Sequence, residues 1–179
     1  MTVDDNTLQK MLASPETKRK AFGLIVSQYS EMLYWKIRHF VLYHDDADDV
    51  MQNVLMKAWM NIDRFKADSK ISTWLYSIAV NESLDFLRRK KNVADADADL
   101  YAARHLMADE YFDGDATEAL LQEAIARLPD MQRTVFLLRY YDEMKYSEMS
   151  KMLQRTEGAL KANYHIAAQK VLDYIKHRD

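Results

Sequence analysis

The sequence contains no cysteine, only three glycines and only two prolines. Without cysteine the chain can form neither a disulfide framework nor a thiolate metal site, and a reducing compartment is favoured. It also has few of the residues that most often interrupt helices, whereas methionine, leucine, alanine, lysine and glutamate are plentiful. Because 49% of the 179 residues are hydrophobic, there is enough apolar material for packed cores. The composition predicts an all-α fold.

Long apolar runs are also absent. The first residues, MTVDDNTLQKMLASPETKRK, contain no apolar signal core, and no segment reaches the length of a membrane span. There is no phosphate-binding glycine loop, no nucleophile–base arrangement and no ligand spacing among the five histidines. We therefore expect a cytoplasmic protein that has no membrane span, needs no cofactor or metal and catalyses no reaction.

The formal net charge of −3 conceals a strong division along the chain. Residues 64–91 contain seven Lys/Arg against three Asp/Glu, a local charge of +4. Residues 92–126 contain nine acidic residues against Arg104 alone, a local charge of −8, and residues 127–179 return to +3. For nucleic-acid binding, this distribution of charge along the chain is more informative than the net charge.

The spacing of apolar residues predicts two small helical domains joined by an acidic flexible linker. In the first domain, 1–91, helices are expected at about 6–13, 16–42, 45–65 and 71–90. The predicted buried face of the third helix consists of Met51, Val54, Leu55, Ala58, Trp59 and Ile62. Alternating Ala and Asp in 92–116 predict a mobile linker, because they bury no face and their charges repel. In the second domain, 117–179, helices are expected at about 117–128, 130–141, 146–153 and 156–177.

Residues 146–177 have the pattern of a helix-turn-helix. Ser147 is expected to cap a short helix, three polar residues follow that helix, and Thr156 is expected to cap the next one. The second helix has a polar face with small residues that let phosphates approach closely. The predicted DNA-contacting residues are Arg155, Thr156, Gly158, Lys161, Ala162, His165 and Gln169. The same pattern also fits an ordinary helical hairpin with a solvated outer face.

The stretch FKADSKISTWLYSIAVNESLDFLRRKK, residues 65–91, places an aromatic residue before a polar loop and ends a helix in four cations. Aromatic rings stack on unpaired bases, polar groups read base edges, and Arg and Lys hold phosphates. A site for an opened strand is therefore predicted at Phe65, Lys66, Lys70, Trp74, Ser77, Asn81 and Arg88. The alternative is that Phe65 and Trp74 cover the core while the cations occupy a solvated helix end, where the dipole favours them.

At these residues the chain resembles a known family, the small extracytoplasmic-function (ECF) type of bacterial RNA polymerase sigma factor. F-x-x-D-S followed by T-W-L-Y-x-I-A-x-N resembles the family's minus-ten melting and recognition segment, and DDADDVMQNVLMKAW resembles its core-binding helix. LPDMQRTVFLLRYYDEMKYSEMSKMLQRTEGALKANYHIAAQKVLDYI resembles its minus-thirty-five module. The resemblance covers residues 16–91 and 117–177.

The resemblance implies a transcription initiation factor that binds core RNA polymerase and directs it to promoter DNA. Phe65 and the loop 66–71 would enclose a flipped base of the single-stranded non-template minus-ten strand. Asn81 would face the upstream part of that element, and Trp74 would lie against the melting duplex. The residues implied at the minus-thirty-five groove are Lys161, Ala162 and His165. The implied protein partners are the clamp coiled coil and the flap of the polymerase, together with an anti-sigma factor.

The acidic third helix carries a second candidate interface, which lies opposite its predicted apolar face. Exposed methionine beside polar groups is typical of a protein-binding patch. The resemblance implies that the patch binds the clamp coiled coil, and its residues are Asp49, Gln52, Asn53, Met56 and Met60. The acids at the start of this helix also fit an N-terminal cap or a Mg²⁺ or Ca²⁺ site, although the Gly and distal Glu of a calcium loop are missing. These acids are Asp45, Asp46, Asp48 and Asp49.

Two other functions fit parts of the pattern. A free-standing helix-turn-helix regulator would bind duplex DNA as a dimer without polymerase, but no heptad seam for self-association is visible. A helical metal-dependent hydrolase would use the acidic cluster at 45–49. Duplex binding without polymerase would favour the regulator, and stabilisation by metal would favour the hydrolase.

Overall fold

The computed structural model describes residues 3–65, 69–93, 103–108 and 114–178, with side chains except at 91–93. The described residues form eight α-helices of eight residues or more and two 3-10 turns, and they contain no strand. The predicted all-α fold is confirmed. The chain divides into two compact units, Met1–Lys90 and Lys91–Asp179. None of the helices described here is long and apolar enough to cross a membrane.

The first unit consists of α1 (Asp5–Ala13), α2 (Pro15–Phe40), α3 (His44–Asn61), the 3-10 turn η1 (Ile62–Arg64) and α4 (Ile71–Val93). The Asp4 carboxylate caps α1 by accepting from the Thr7 N–H at 3.0 Å, and Pro15 is the first residue of α2. α2 packs against both α1 and α3. Large core side chains of this unit include Leu8, Ile25, Leu33, Ile37, Phe40, Val50, Val54, Ile71 and Leu75.

The buried face of α3 differs from the predicted one. Its buried side chains are Ala47, Val50, Val54 and Ala58. Trp59 was predicted to be buried but keeps 39% of its surface exposed, and its ring lies 5.0 Å from the ring of Phe22. The apolar residues of α3 form two overlapping stripes. The stripe with the smaller side chains is buried, which lets the backbones of α2 and α3 pack closely.

The second unit contains η2 (Leu106–Ala108), α5 (Ala116–Ala126), α6 (Asp130–Tyr140), α7 (Tyr146–Leu153) and α8 (Glu157–Lys176). α8 packs against α5, α6 and α7. Thr156 caps α8 as predicted, accepting the Ala159 N–H at 3.3 Å. The predicted Ser147 cap is wrong, because α7 begins earlier. The Glu148 carboxylate accepts the Lys145 N–H at 3.1 Å, and this capping box makes Lys145 the N-cap residue.

Part of the segment expected to be a mobile linker is packed. Ala103 and Leu106 are buried, η2 contacts α5, and the Arg104 guanidinium donates to the Glu123 carboxylate at 2.9 Å. Residues 103–108 depart from the expectation because Leu106 supplies an apolar side chain whose burial is favourable. Most of 92–116 lies outside the described residues, so the mobility of that part stays a prediction.

Candidate nucleic-acid interface

The start of α4 brings two aromatic side chains together. The rings of Phe65 and Trp74 lie 5.1 Å apart between centroids, at an angle of 46°. The Phe65 N–H donates to the Ile62 carbonyl at 3.2 Å, which fixes the backbone where η1 ends. Both residues are half-buried, so part of each remains accessible to solvent. Lys70 is exposed directly before α4, and Lys66 lies outside the described residues.

A groove of about 360 Å³ runs between α3, η1 and α4. Trp74 and Asn81, two residues of the predicted strand site, line it. The other lining residues are Lys57, Asn61, Arg64, Ile78, Glu82 and Asp85. The α4 wall therefore offers an aromatic ring, an amide and two carboxylates, and the opposite wall offers two cations, of which Lys57 is paired with Glu82.

Four described residues of the predicted strand site do not line the groove: Phe65, Lys70, Ser77 and Arg88. The Ser77 hydroxyl donates to the Trp74 carbonyl at 2.7 Å, so its proton is used within α4. Arg88 is exposed on the next turns, where its guanidinium donates to the Asp85 carboxylate at 3.1 Å. The groove follows the spacing Trp74, Ile78, Asn81 and Asp85, which is a stripe slightly rotated from the predicted one.

Sequence reasoning missed the basic wall of this groove. Arg64 is exposed on η1, and Lys57 on α3 forms an ion pair with Glu82, whose side chain is buried. No local pattern connects Lys57 with Glu82, since 25 residues separate them. Arg64, in contrast, adjoins Phe65 in the sequence, so its place beside the aromatic pair could have been anticipated.

The predicted protein-binding face of α3 is present as an exposed surface. Met60 is 72% exposed and Met56 is 55% exposed, while Asp49 and Gln52 are exposed and Asn53 is half-buried. Trp59 borders this face and was missed, because the apolar pattern placed it in the core. Three large apolar side chains close together on one solvent-facing helix are typical of an interaction surface.

Two of the acids at the start of α3 have separate partners. Asp46 accepts from the Lys90 ammonium at 2.6 Å, and Asp48 lies 3.4 Å from the His44 ring nitrogen Nε2. Over the ranges that the structure describes, no three His, Cys, Asp or Glu side chains are grouped so that they could hold a metal ion.

The helix-turn-helix places its predicted contact residues on a solvent-facing surface. α7 buries Met149, and α8 buries Leu160, Ala167 and Val171. A Cβ at Gly158 would meet nothing within 4 Å, so packing within the unit gives no reason for a glycine there. All seven predicted residues are exposed: Arg155, Thr156, Gly158, Lys161, Ala162, His165 and Gln169.

Local contacts hold two of these side chains along α8. The Lys161 ammonium lies 3.9 Å from the Glu157 carboxylate and 5.6 Å from the centre of the Tyr146 ring. The Gln169 amide donates to Asp173 at 2.8 Å. These contacts are on the surface and are weak, so the side chains can exchange them for contacts to DNA.

An all-α protein with an exposed helix-turn-helix in one unit and an aromatic, polar and cationic groove in the other has the features of a nucleic-acid-binding protein with two contact sites. The family model of sigma-70 region 2 matches residues 25–93, and that of sigma-70 region 4 matches residues 118–171. The first match begins within α2 and ends with α4, so α1 lies before it.

Individual proteins agree with the family models. The ECF RNA polymerase sigma factor SigW of Bacillus subtilis is 33% identical over 156 residues, which cover 81% of this chain and 83% of SigW. The ECF RNA polymerase sigma-E factor of Escherichia coli is 28% identical over 171 residues, covering 86% of this chain and 85% of that protein. The sigma factor RpoE, solved in complex with the anti-sigma factor NepR from Bartonella quintana, has the same fold. Its TM-score is 0.66 at 21% identity, over 88% of this chain and 98% of RpoE.

The chain belongs to the ECF type of RNA polymerase sigma factors. It is a transcription initiation factor, which works with core RNA polymerase at promoters. The free-standing regulator is not favoured.

Proposed function

We propose that the groove between α3, η1 and α4 holds the opened non-template strand of the minus-ten element. The observation that carries this proposal is the contact of Phe65 with Trp74, the ring that lines the groove. An unpaired base can stack on this aromatic pair, and the Asn81 amide can donate to or accept from a base edge. Arg64, which is exposed on the opposite wall, supplies positive charge for a phosphate.

The second unit binds duplex DNA at the minus-thirty-five element through α8. Lys161 and His165 are exposed donors on the face that would enter the major groove, and Gly158 leaves room for the DNA backbone. The net charge of −3 makes DNA binding by the free chain weak, because affinity rises with the number of phosphates neutralised. Two weak contacts on one chain reinforce each other through effective concentration once polymerase holds the chain in place.

The exposed face of α3 binds the clamp coiled coil of core polymerase, and the second unit contacts the flap. The chain acts in the cytoplasm and contributes no catalysis of its own. The Bartonella relative is held by an anti-sigma factor, and we expect this chain to have a partner of the same kind.

Replacing Phe65 by alanine is expected to slow promoter opening by holoenzyme about tenfold, since one base–aromatic stack contributes about 1–3 kcal/mol. Affinity for core polymerase should stay within twofold of wild type, because Phe65 lies on the loop after η1 and not on the α3 face. The measurement is the opening rate, read from 2-aminopurine fluorescence in the minus-ten element of the chain's own promoter. Phe65→Tyr keeps the ring and should behave as wild type.

The matched control is Trp35→Ala, because Trp35 is an exposed aromatic residue on α2 that does not line the groove. It should leave the opening rate unchanged. If Phe65→Ala opens the promoter at the wild-type rate, or if Trp35→Ala slows opening as much, the proposed strand site is wrong.

Arg64→Ala is expected to weaken the salt dependence of holoenzyme binding to promoter DNA that carries a preformed bubble. One lost contact to a single-strand phosphate lowers the slope of log K against log salt by about 0.7. Binding would be titrated by fluorescence anisotropy at several salt concentrations. Arg19→Ala removes an exposed arginine of α2 and should leave the slope unchanged. An unchanged slope for Arg64→Ala would exclude a phosphate contact at η1.

A further inference from the structure

The first turn of α4 receives a hydrogen-bond acceptor from a distant part of the chain. Lys70 is the residue before the helix, and its carbonyl accepts the Trp74 N–H at 3.1 Å. The first N–H groups of a helix have no partner within the helix, and a lysine side chain has no acceptor with which to cap them. The Ile71 N–H donates instead to Asp5 Oδ2 at 3.1 Å, across 66 residues of sequence.

Asp5 is itself held in place. Its other carboxylate oxygen accepts the Tyr29 hydroxyl at 3.1 Å. Burial, and then the hydrogen bond to Asp5 and its negative charge, raise the pKa of Tyr29, so the phenol remains a proton donor at neutral pH. Asp5 is the first residue of α1, which is anchored by the fully buried Leu8 and packs along α2. A carboxylate at this position is also favoured by the dipole of α4.

α1 contacts the segments on both sides of the loop that carries Phe65. It touches η1, which ends directly before Phe65, and through Asp5 it caps α4 directly after Lys70. Trp74 follows the capped Ile71 by about one helical turn. The cap therefore stabilises the turn that carries the ring lining the groove. α1 lies outside the matched sigma-70 region 2, which begins at residue 25.

We propose that Asp5 is a positioning residue for promoter opening: by capping α4 it holds the Phe65–Trp74 pair in the arrangement that receives the opened strand. This inference rests on the proposed strand site. It gives α1 a role in DNA opening without contact to DNA.

The test combines a measurement on the free chain with one on holoenzyme. In Asp5→Ala, amide hydrogen exchange at the start of α4 should be about fivefold faster, the factor that the loss of one helix cap produces. Promoter opening by holoenzyme, followed with 2-aminopurine, should slow by a similar factor while affinity for core polymerase is unchanged. Asp5→Asn keeps an oxygen that can accept the Ile71 N–H and should restore both rates to within about twofold of wild type.

Asp4→Ala is the matched control. Asp4 is the neighbouring acid and caps α1 itself, accepting from the Thr7 N–H and, at 2.7 Å, from the Thr7 hydroxyl. Its loss weakens the start of α1 but leaves the bond between Asp5 and Ile71 in place. If Asp4→Ala slows opening as much as Asp5→Ala does, the effect belongs to α1 as a whole and the role of Asp5 is overturned.

The two measurements separate this inference from the proposed strand site. Unchanged exchange in Asp5→Ala overturns the inference whatever the promoter does. Faster exchange with normal opening, in an assay where Phe65→Ala slows opening, overturns the positioning role and leaves the strand site standing. If Phe65→Ala also opens the promoter normally, the strand site is wrong and the positioning role falls with it.

Discussion

Holoenzyme assembly is expected to fail when Met56 and Met60 are both replaced by aspartate. The two side chains are 55% and 72% exposed, so the substitutions cost the folded unit little. In the complex they would place two carboxylates inside an apolar contact, where an unpaired charge is strongly unfavourable. Central interface residues contribute about 2 kcal/mol or more each, so affinity should fall at least about a hundredfold. Titration of fluorescently labelled core polymerase, together with co-elution in size exclusion, would measure the loss.

Met107→Asp is the matched control for this variant. Met107 is 59% exposed, close to the exposure of Met56, but it lies on η2 in the other unit. The same change of chemistry there should leave the affinity for core polymerase unchanged. Wild-type affinity in the double variant would show that the α3 face is not the binding surface, and an equal loss in Met107→Asp would show that the effect is not specific to it.

The spacing of apolar residues predicted where the helices lie, but it did not always predict which side of a helix is buried. In α8 the buried stripe consists of Leu160, Ala167 and Val171, and the face with Lys161 and His165 was predicted to be exposed, as it is. Ile166 and Leu172 are exposed as well, so not every apolar residue of α8 belongs to the buried stripe. In α3 the apolar residues spread over more than half of the circumference, and two stripes compete. Packing against α2 decides between them, and a single sequence does not contain that information.

The contacts that shape the groove were beyond prediction for a different reason. The Ile71–Asp5 hydrogen bond spans 66 residues and the Lys57–Glu82 ion pair spans 25. Local propensity acts over a few residues, so it carries no information about such pairs. Glu82 is an acidic residue in the middle of a helix, yet it is buried, and Lys57 of α3 pairs with it. Phe65 and Trp74 could be assigned to one site because they are close in the sequence.

Replacing Glu123 by glutamine is expected to lower the free energy of unfolding of the second unit by about 1–3 kcal/mol. Glu123 is 5% exposed, and a single carboxylate oxygen accepts from Arg104 at 2.9 Å, Tyr174 at 2.7 Å and Arg178 at 3.1 Å. These bonds connect α5 to the packed segment 103–108 and to the end of α8. The Arg127 guanidinium lies 3.5 Å from the same oxygen. Glutamine keeps an acceptor but removes the negative charge that faces the three guanidinium groups.

The effect of Glu123→Gln should depend on pH. Burial alone raises the pKa of Glu123, but the hydrogen bonds from Tyr174 and Arg104 and the charges of Arg178 and Arg104 outweigh burial and hold the pKa below the ordinary value of 4.5. A lowered pKa in the folded state means that the ionised carboxylate stabilises the fold at pH values above the ordinary pKa. This stabilisation is lost as the pH falls through the folded pKa. The difference between wild type and Glu123→Gln should therefore be full near neutral pH and should shrink below about pH 4.5.

Tryptophan fluorescence follows the unfolding of the first unit alone, so changes in the second unit can be distinguished from it. All three tryptophans, Trp35, Trp59 and Trp74, belong to the first unit. Far-ultraviolet circular dichroism follows the helices of both units, so Glu123→Gln should shift the dichroism transition and leave the tryptophan fluorescence transition in place. Glu157→Gln removes an exposed acid at the start of α8 and should cost about 0.5 kcal/mol or less. An equal shift in tryptophan fluorescence, or a difference from wild type that stays constant down to pH 3, would contradict a charge-stabilised network within the second unit.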